Sequence, residues 1–150
     1  MTVRPAAKED IPAIAAMEAA TFPSGASESF LASLTGGAGA VLAASEGGAL
    51  LGYAWYQLVL DEGYVGNVAV AESCRRQGVG TALVRAMLAD AGERGAAFLT
   101  LEVRESNLAA RRLYERCGFR TAAVRKDYYE RPREDAVLMT AVLGERKEEC

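Results

Sequence analysis

The chain has 150 residues and contains no histidine. This absence excludes Ser-His-Asp and Cys-His catalysis, because in both arrangements an imidazole acts as the base. It also makes Cys74 and Cys117 weak candidates for a nucleophile. Any acid–base catalysis near neutral pH must therefore depend on Glu, Asp, Tyr, Lys or a thiol.

Cysteine is scarce as well. The three cysteines, Cys74, Cys117 and Cys150, are odd in number and share no CxxC spacing. This spacing indicates neither a disulfide framework nor a zinc site. We therefore expect reduced thiols, a cytoplasmic location and no bound metal.

Long hydrophobic runs are also missing. The longest apolar stretch, residues 49–60, contains Gln57 and is too short to span a membrane. No apolar segment typical of a signal peptide follows Met1. The net charge of −3 does not favour nucleic acid and suits a basic partner better. The length predicts one domain, which we place at residues 1–143, with residues 144–150 as a charged tail.

Hydrophobic periodicity predicts strands and helices that alternate through the middle of the chain. Helices are predicted at residues 10–20, 27–34, 80–94 and 107–117. Strands are predicted at residues 2–4, 41–45, 50–60, 64–70, 98–103, 119–124 and 136–143. A loop is expected at residues 36–39 and a hairpin turn at residues 46–48. The pattern predicts an α/β fold with a mixed sheet.

A glycine-containing loop follows the strand predicted at residues 64–70. It carries Arg75 and Arg76, then Gly78 and Gly80, and opens into a helix. Glycines let backbone N–H groups approach a phosphate closely, and a helix N-terminus favours negative charge. The loop therefore predicts binding of a phosphorylated small molecule.

Two common phosphate motifs do not fit this loop. A P-loop requires Lys-Ser/Thr after its closing glycine, whereas Thr81 and Ala82 follow Gly80. A dinucleotide fingerprint that starts at Gly78 requires a third glycine where Leu83 stands. The remaining pattern is Arg75-x-x-Gly78-x-Gly80.

A second group of candidate residues lies between residues 98 and 117. Alternation along the predicted strand places Phe98, Thr100 and Glu102 on one face. We expect Glu102 to be buried among apolar neighbours, where burial favours the neutral acid and suits the group to general-base catalysis. Tyr114 lies on the apolar face of the next helix, one turn past Ala110, and its phenol could donate a proton.

These motifs resemble the RimI type of the GNAT acetyltransferase family. The resemblance rests on the glycine loop, on the Leu-Glu-Val-Arg-x-Ser-Asn and Leu-Tyr-x-x-x-Gly-Phe patterns within residues 101–119, and on residues 128–129 and 133–139. It extends from about Val3 to Leu143. It implies the GNAT fold, a mixed central β-sheet flanked by helices on both faces. It further implies acetyl-CoA as co-substrate, and direct transfer in a ternary complex to the N-terminal alanine of a small-subunit ribosomal protein.

The resemblance also assigns roles by position. Glu102 corresponds to the general base and Tyr114 to the general acid. The residues implied to bind acetyl-CoA are Val68, Ala69, Val70, Arg76, Gln77, Gly78, Val79, Gly80, Thr81 and Asn107. Phe22, Tyr128 and Tyr129 correspond to the peptide groove.

One departure and several alternatives stay open at this point. After Phe22-Pro23 the chain has one residue more than close relatives, in a loop that borders the peptide groove in the family. The acceptor could instead be a lysine side chain or a small-molecule amine, and a non-catalytic acetyl-CoA-binding module is a further alternative. Glu102 could be a structural carboxylate paired with Arg104 or Arg120, and Tyr114 could be a core aromatic residue.

Overall fold

The computed structural model describes residues 1–144, so all but the first residue of the predicted tail at residues 144–150 lies outside the described part. Seven strands form one mixed sheet in the order β1-β2-β3-β4-β5-β7-β6. The strands are β1 (Thr2–Pro5), β2 (Gly39–Glu46), β3 (Ala49–Val59), β4 (Glu62–Val70), β5 (Phe98–Arg104), β6 (Arg120–Tyr129) and β7 (Glu134–Val142). Only the β4–β5 pair is parallel among the pairs of this sheet.

Four α-helices cover the sheet, two on each face. They are α1 (Ile11–Thr21), α2 (Glu28–Ser33), α3 (Val79–Glu93) and α4 (Leu108–Arg116). The Ser27 hydroxyl caps α2 by accepting a hydrogen bond from the Phe30 backbone N–H at 3.1 Å. Gly95 and Gly118 have φ values of +88° and +103° and end α3 and α4, as the glycine stops in the sequence predict.

The two faces of the sheet have separate cores. One core joins α3 and α4 to the sheet through residues such as Leu83, Met87, Leu99, Phe119 and Met139. The other joins α1 and α2 to β2, β3 and β4 only. The strands β5, β6 and β7 therefore have one face that these two helices leave open.

The parallel pair β4–β5 separates along its length. Its strands pair only at Glu62↔Phe98, Gly63↔Leu99 and Tyr64↔Thr100. Beyond these positions, residues 65–70 of β4 and residues 101–104 of β5 diverge, and within residues 1–144 no strand pairs with the facing edge of β4. We call this opening the β4–β5 gap, and it positions the candidate site.

Most predicted elements are confirmed, with two corrections. The expected loop at residues 36–39 is wrong, because Leu34–Ala38 form a π-helical turn after α2 and Gly39 already begins β2. The strand predicted at residues 119–124 is too short, because β6 continues to Tyr129. Every residue of β6 before Tyr129 is exposed, so this edge strand lacks the alternating pattern that would have revealed its length.

The hairpin between β2 and β3 is as predicted. Its turn contains Gly47 and Gly48, whose φ values of +59° and +84° match the type I′ turns that join adjacent antiparallel strands. No helix within residues 1–144 is long and apolar enough to cross a membrane.

Candidate active site

A cavity of about 730 Å³ opens at the β4–β5 gap. It is lined by many of the predicted site residues, namely Phe22, Val68, Ala69, Val70, Arg76, Gly78, Val79, Gly80, Thr81 and Tyr114. Arg75 of the glycine loop lines it too, together with residues that were not assigned to the site: Thr21, Cys74, Ala109, Ala110, Leu113 and Arg116. The cavity therefore joins the glycine loop to the α4 tyrosine.

One end of the cavity is suited to an anion. Gly78 is the N-cap of α3 and has φ +84°, and Arg76 has φ +65°, so the chain turns sharply before the helix begins. Arg75 donates from Nε to the Val70 carbonyl at 3.2 Å, which ties the loop to the end of β4. Free N–H groups at the helix N-terminus, with Arg76 and Arg116 beside them, favour a phosphate at this end.

Packing leaves room for a methyl group at position 80. A Cβ added there would lie 3.4 Å from Leu113 Cδ2 of α4, an ordinary van der Waals contact. At Gly78 an added Cβ would meet nothing within 4 Å, so the requirement there is the left-handed backbone.

Tyr114 is the buried aromatic residue of the cavity wall. It is 8% exposed and its ring makes an edge contact with Phe119, with ring centroids 5.4 Å apart. Burial, with smaller contributions from Cys117 and Tyr129, raises the pKa of Tyr114 to about 12. The phenol is therefore protonated at neutral pH and can donate a proton or a hydrogen bond.

Glu102 is exposed, so the expectation that it is buried is wrong. Leu99, Leu101 and Val103 do face the core of α3 and α4, as alternation predicts. The opposite face, which carries Glu102, is the one that α1 and α2 leave open. Glu102 lies two residues past Thr100, the last residue of β5 paired with β4, and so lies beside the gap. Glu102, Tyr128 and Tyr129 are not among the residues that line the cavity itself.

Tyr128 connects β6 to Glu102. Its hydroxyl donates a hydrogen bond to Glu102 Oε1 at 2.9 Å, although the two residues are 26 apart in sequence. This bond, followed by burial, raises the pKa of Tyr128. The alternative in which Glu102 pairs with Arg104 does not occur, because Arg104 forms its ion pair with Glu134.

Tyr129 interacts electrostatically with both the candidate base and the candidate acid. Burial and then the charge of Glu102 raise the pKa of Tyr129. Tyr129 in turn contributes to the raised pKa of Tyr114. The three side chains are thus electrostatic neighbours, which brings residues from β5, α4 and β6 into one region.

Two predicted residues have other observed contacts. The Asn107 side chain caps α4 by accepting from the Ala110 N–H at 3.2 Å. Gln77 donates from Nε2 to the Ser73 carbonyl within the loop at 3.5 Å. Neither residue lines the cavity, and their assignment to acetyl-CoA stays a prediction.

The role of Glu18 could not be predicted from the sequence. This residue is fully buried at the end of α1. Its carboxyl group accepts hydrogen bonds from Tyr53 Oη at 2.6 Å, Asn67 Nδ2 at 2.7 Å, Ala26 N at 2.8 Å and Trp55 Nε1 at 3.2 Å. Glu18 thereby fixes the loop after Phe22 against β3 and β4. Glu18 stands at a position where the helical period of α1 predicts an apolar residue, so the sequence pattern alone does not indicate a carboxylate that binds four donors.

The same loop explains one glycine of the unusual segment after Phe22-Pro23. A Cβ at Gly25 would lie 2.8 Å from the Glu18 side chain. Within residues 1–144, no cluster of three or more Cys, Asp or Glu side chains could hold a metal ion.

Comparison with known proteins places this geometry in a family. The sequence model of the acetyltransferase (GNAT) family matches residues 10–119. The chain is 41% identical to the ribosomal protein bS18-alanine N-acetyltransferase of Escherichia coli (strain K12) over 102 residues, which are 67% of this chain and 69% of that protein. It is also 41% identical to the enzyme of that name from Haemophilus influenzae over 101 residues, 65% of this chain and 68% of that protein.

A solved structure agrees over a longer range. The crystal structure of the ribosomal-protein-S18-alanine N-acetyltransferase from Escherichia coli matches with a TM-score of 0.86 and 35% identity. The match covers 99% of this chain and 97% of that chain.

Proposed function

Since the chain belongs to the GNAT family of acetyltransferases, we propose that it acetylates the N-terminal alanine of ribosomal protein bS18, with acetyl-CoA as the acetyl donor. The observation that carries this proposal is the match to enzymes named for that reaction, at 41% identity over 67% of the chain and, in a solved structure, at 35% identity over 99% of it. The proposal places the enzyme in the cytoplasm and treats residues 1–143 as one catalytic domain.

The cavity fits acetyl-CoA. The α3 N-terminus with Arg75 and Arg76 suits a pyrophosphate. The facing edge of β4 at residues 65–70 has backbone N–H and C=O groups without a strand partner, which can pair with the amides of a pantetheine arm. When bound, acetyl-CoA supplies the thioester that is cleaved.

Glu102 is the proposed general base. An N-terminal α-ammonium has a pKa of about 7.7–8.0, so much of it must lose a proton before it can attack. Glu102 accepts that proton directly or through one water. Its exposed position on the open face of β5 gives a peptide N-terminus access to it.

Two further groups act on the thioester. Backbone N–H groups near Val68 to Val70 stabilise the oxygen on which negative charge develops. Tyr114, protonated at neutral pH, gives its proton to the departing thiolate of CoA. One general acid or base contributes about 10²–10⁴ in rate, so the remaining acceleration comes from positioning the two reactants.

The acidic chain suits a basic peptide. The net charge is −3, and the connection between β6 and β7 carries the exposed acidic residue Glu130. We therefore expect a preference for alanine followed by a basic residue.

A peptide panel tests the function. Peptides that vary at the first two positions are assayed for release of CoA thiol, with Glu102→Gln as the inactive control. We expect Ala-Arg peptides to be preferred, and a blocked α-amine to abolish turnover even when lysines are free. Modification of lysine ε-amines at comparable kcat/KM would contradict the proposal and favour a lysine or small-molecule acceptor.

A further inference from the structure

Arg104 holds the connection between β6 and β7 against β5. Its guanidinium donates to the Pro132 carbonyl at 3.0 Å, to the Glu130 carbonyl at 3.3 Å and to Glu134 Oε1 at 3.2 Å. The same group lies over the Tyr129 ring, 4.4 Å from its centroid. One side chain of β5 thus makes four contacts with a segment about 30 residues away.

Glu134 also links the connection between β6 and β7 to the turn between β5 and α4. While Oε1 accepts from Arg104, Oε2 accepts from the Ser106 N–H at 2.6 Å, in the turn between β5 and α4. The carboxylate therefore bridges the end of β5 and the approach to α4. Arg104 and Glu134 together hold the connection between β6 and β7 against the end of β5 and against the turn that follows it.

A bulge near the end of β6 brings Tyr128 into contact with Glu102. The pairing of β6 with β7 shifts register between Arg125 and Tyr129, and Asp127 has φ +54°. The Asp127 N–H donates to Asp135 Oδ1 at 2.8 Å, which stabilises this bulge. Such bulges redirect a side chain, and here the redirected side chain is Tyr128, whose hydroxyl reaches Glu102.

The contacts form a closed path on one face of β5. Glu102 and Arg104 are two residues apart and share that face. Glu102 accepts from Tyr128, the Tyr128 ring makes an edge contact with Tyr129 at 5.0 Å, and Tyr129 lies under Arg104.

We propose that Arg104 is a positioning residue that fixes the β6–β7 segment, so that Tyr128 keeps the Glu102 carboxylate oriented toward the acceptor amine. Its effect on turnover rests on the proposed function, whereas its effect on the Tyr128–Glu102 contact does not. Arg104 touches neither reactant in this scheme and acts through Tyr129 and Tyr128.

Arginine is required for this role because of its shape. A planar guanidinium can stack on a ring while several N–H groups bind carbonyl and carboxylate oxygens in its plane. Lysine keeps the charge but loses the stacking and the fixed fork. Arg104→Lys is therefore the informative variant, since it separates geometry from charge.

The kinetic test compares Arg104→Lys with Arg94→Lys. Arg94 forms an ion pair with Asp90 at 2.9 Å on α3 and is matched in substitution and in exposure. We expect Arg104→Lys to raise the peptide KM and lower kcat, each by about threefold, so that kcat/KM falls by about tenfold, the value of one charge-assisted hydrogen bond. Acetyl-CoA affinity by calorimetry should stay within about twofold, and Arg94→Lys should leave all three quantities unchanged.

A double-mutant cycle tests the path through Tyr128. Tyr128→Phe removes the hydrogen bond to Glu102 and should lower kcat/KM about tenfold in the wild type. In the Arg104→Lys background the same change should cost less than about threefold, because the contact is already lost. If the effects of Arg104→Lys and Tyr128→Phe on kcat/KM are independent and multiply, the proposal is overturned. It is also overturned if Arg104→Lys weakens the binding of acetyl-CoA as much as that of the peptide.

A measurement without turnover separates this inference from the proposed function. With ¹³C-labelled tyrosine, NMR titration should show Tyr128 with a raised pKa in the wild type, and Tyr128→Phe assigns the signal. In Arg104→Lys the pKa of Tyr128 should fall toward the ordinary value. The guanidinium of Arg125, which lies over the Tyr128 ring, is still present in this variant and cannot account for the change. An unchanged Tyr128 titration would overturn the inference even if the peptide reaction is confirmed.

A milder variant protects the test if Arg104→Lys fails to fold. Glu134→Gln keeps the stacking of Arg104 on Tyr129 but weakens its ion pair and the Ser106 contact. It should shift the Tyr128 titration and the peptide KM in the same directions by smaller factors. No shift in either quantity would overturn the proposal.

Discussion

The two sides of the β4–β5 gap are built differently. On the side proposed to bind acetyl-CoA, the features are backbone features, namely the left-handed Gly78, the free end of α3 and the unpaired edge of β4. On the acceptor side, where Glu102 and Tyr128 lie, the geometry depends on side chains that hold loops in place. Glu18 fixes the loop after Phe22, and Arg104 fixes the segment after Tyr129.

This difference suits the two reactants. A GNAT enzyme uses one donor, acetyl-CoA. The backbone cradle proposed for the phosphates of that donor, residues 75–81, tolerates change in the surrounding side chains. The acceptor varies between acetyltransferases, and loops held by a few side-chain contacts can be altered without disturbing the cradle. The two sides should therefore respond separately to mutation, which the following predictions test.

Loss of Glu18 should have the largest effect, on the acceptor side. Glu18→Ala leaves four donors without their acceptor, at about 1–3 kcal/mol for each buried group that stays unsatisfied. We expect the free energy of unfolding to fall by about 3 kcal/mol or more, measured by urea denaturation. In the folded fraction the peptide KM should rise more than the acetyl-CoA KM.

Glu18→Gln is the matched control. Its carbonyl can take the place of Oε2, and the Tyr53 hydroxyl can accept from the new amide instead of donating. The cost should be about 1 kcal/mol. Equal losses for the alanine and glutamine variants would show that the hydrogen bonds of Glu18 do not stabilise this region.

Tyr114→Phe should have the next largest effect, at the point where the two sides meet. The substitution keeps the ring that packs on Phe119 and removes only the hydroxyl. If Tyr114 is the general acid, the single-turnover rate should fall about 10²-fold or more while acetyl-CoA binding is retained. Single-turnover kinetics are needed because slow product release could hide the chemical step.

A purely structural tyrosine predicts a different outcome. Its loss would cost at most about 1 kcal/mol of stability, with activity nearly intact. A single-turnover rate within about threefold of wild type would remove Tyr114 from the mechanism, since that is far below the usual effect of a general acid.

The same contrast explains what the sequence could predict. The cradle is local, since Arg75, Gly78 and Gly80 lie within six residues of one another, and its turn into the N-terminus of a helix could be predicted from their spacing. The burial of Tyr114 followed from helical periodicity. The acceptor side could not be predicted in this way, because Glu18 and Asn67 are 49 residues apart and Arg104 and Glu134 are 30 apart.

The wrong expectation for Glu102 has a related cause. Alternation along β5 correctly identifies the residues that share a face. It does not tell whether a helix covers that face, which depends on where α1 and α2 pack. Likewise, β6 is exposed along nearly its whole length, so no pattern marked the strand as far as Tyr128.

Gly78→Val should have a smaller effect, confined to the acetyl-CoA side. Valine is strained at φ +84°, and its branched side chain obstructs approach to the backbone N–H groups. We expect the Kd for CoA, measured by calorimetry, to rise on the order of tenfold, the value of one weakened contact to a charged phosphate. The peptide KM should not change.

Gly92→Ala is a control in the same helix. Gly92 has open space around it and lies within α3, so alanine should be tolerated and slightly stabilising. An unchanged CoA affinity in Gly78→Val would place the pyrophosphate elsewhere. A peptide KM that rises as much as the CoA Kd would show that the two sides are not separate.

The smallest expected effect is the acid sensitivity of the acceptor side. Hydrogen bonds from Ser106, followed by the interaction with Arg104, lower the pKa of Glu134 in the folded protein. A carboxyl group whose pKa is lower in the folded state stabilises the fold above its unfolded pKa, about 4.3 for Glu. That contribution is lost as the pH falls through the folded pKa.

The comparison of wild type with Glu134→Gln isolates this effect. Asp10, whose pKa is lowered mainly by its hydrogen bond to Arg4, loses its contribution in acid in both proteins and cancels in the difference. The wild type should have the higher Tm at pH 6–7, because Glu134 is ionised and fully paired there, and the difference should shrink as the pH falls below about 4. Because Glu134 holds the β6–β7 segment and not the cradle, CoA affinity at pH 7 should be equal in the two proteins. A Tm difference that does not change with pH would mean that the charge of Glu134 does not stabilise the segment, and that the shape of the side chain alone accounts for its contacts.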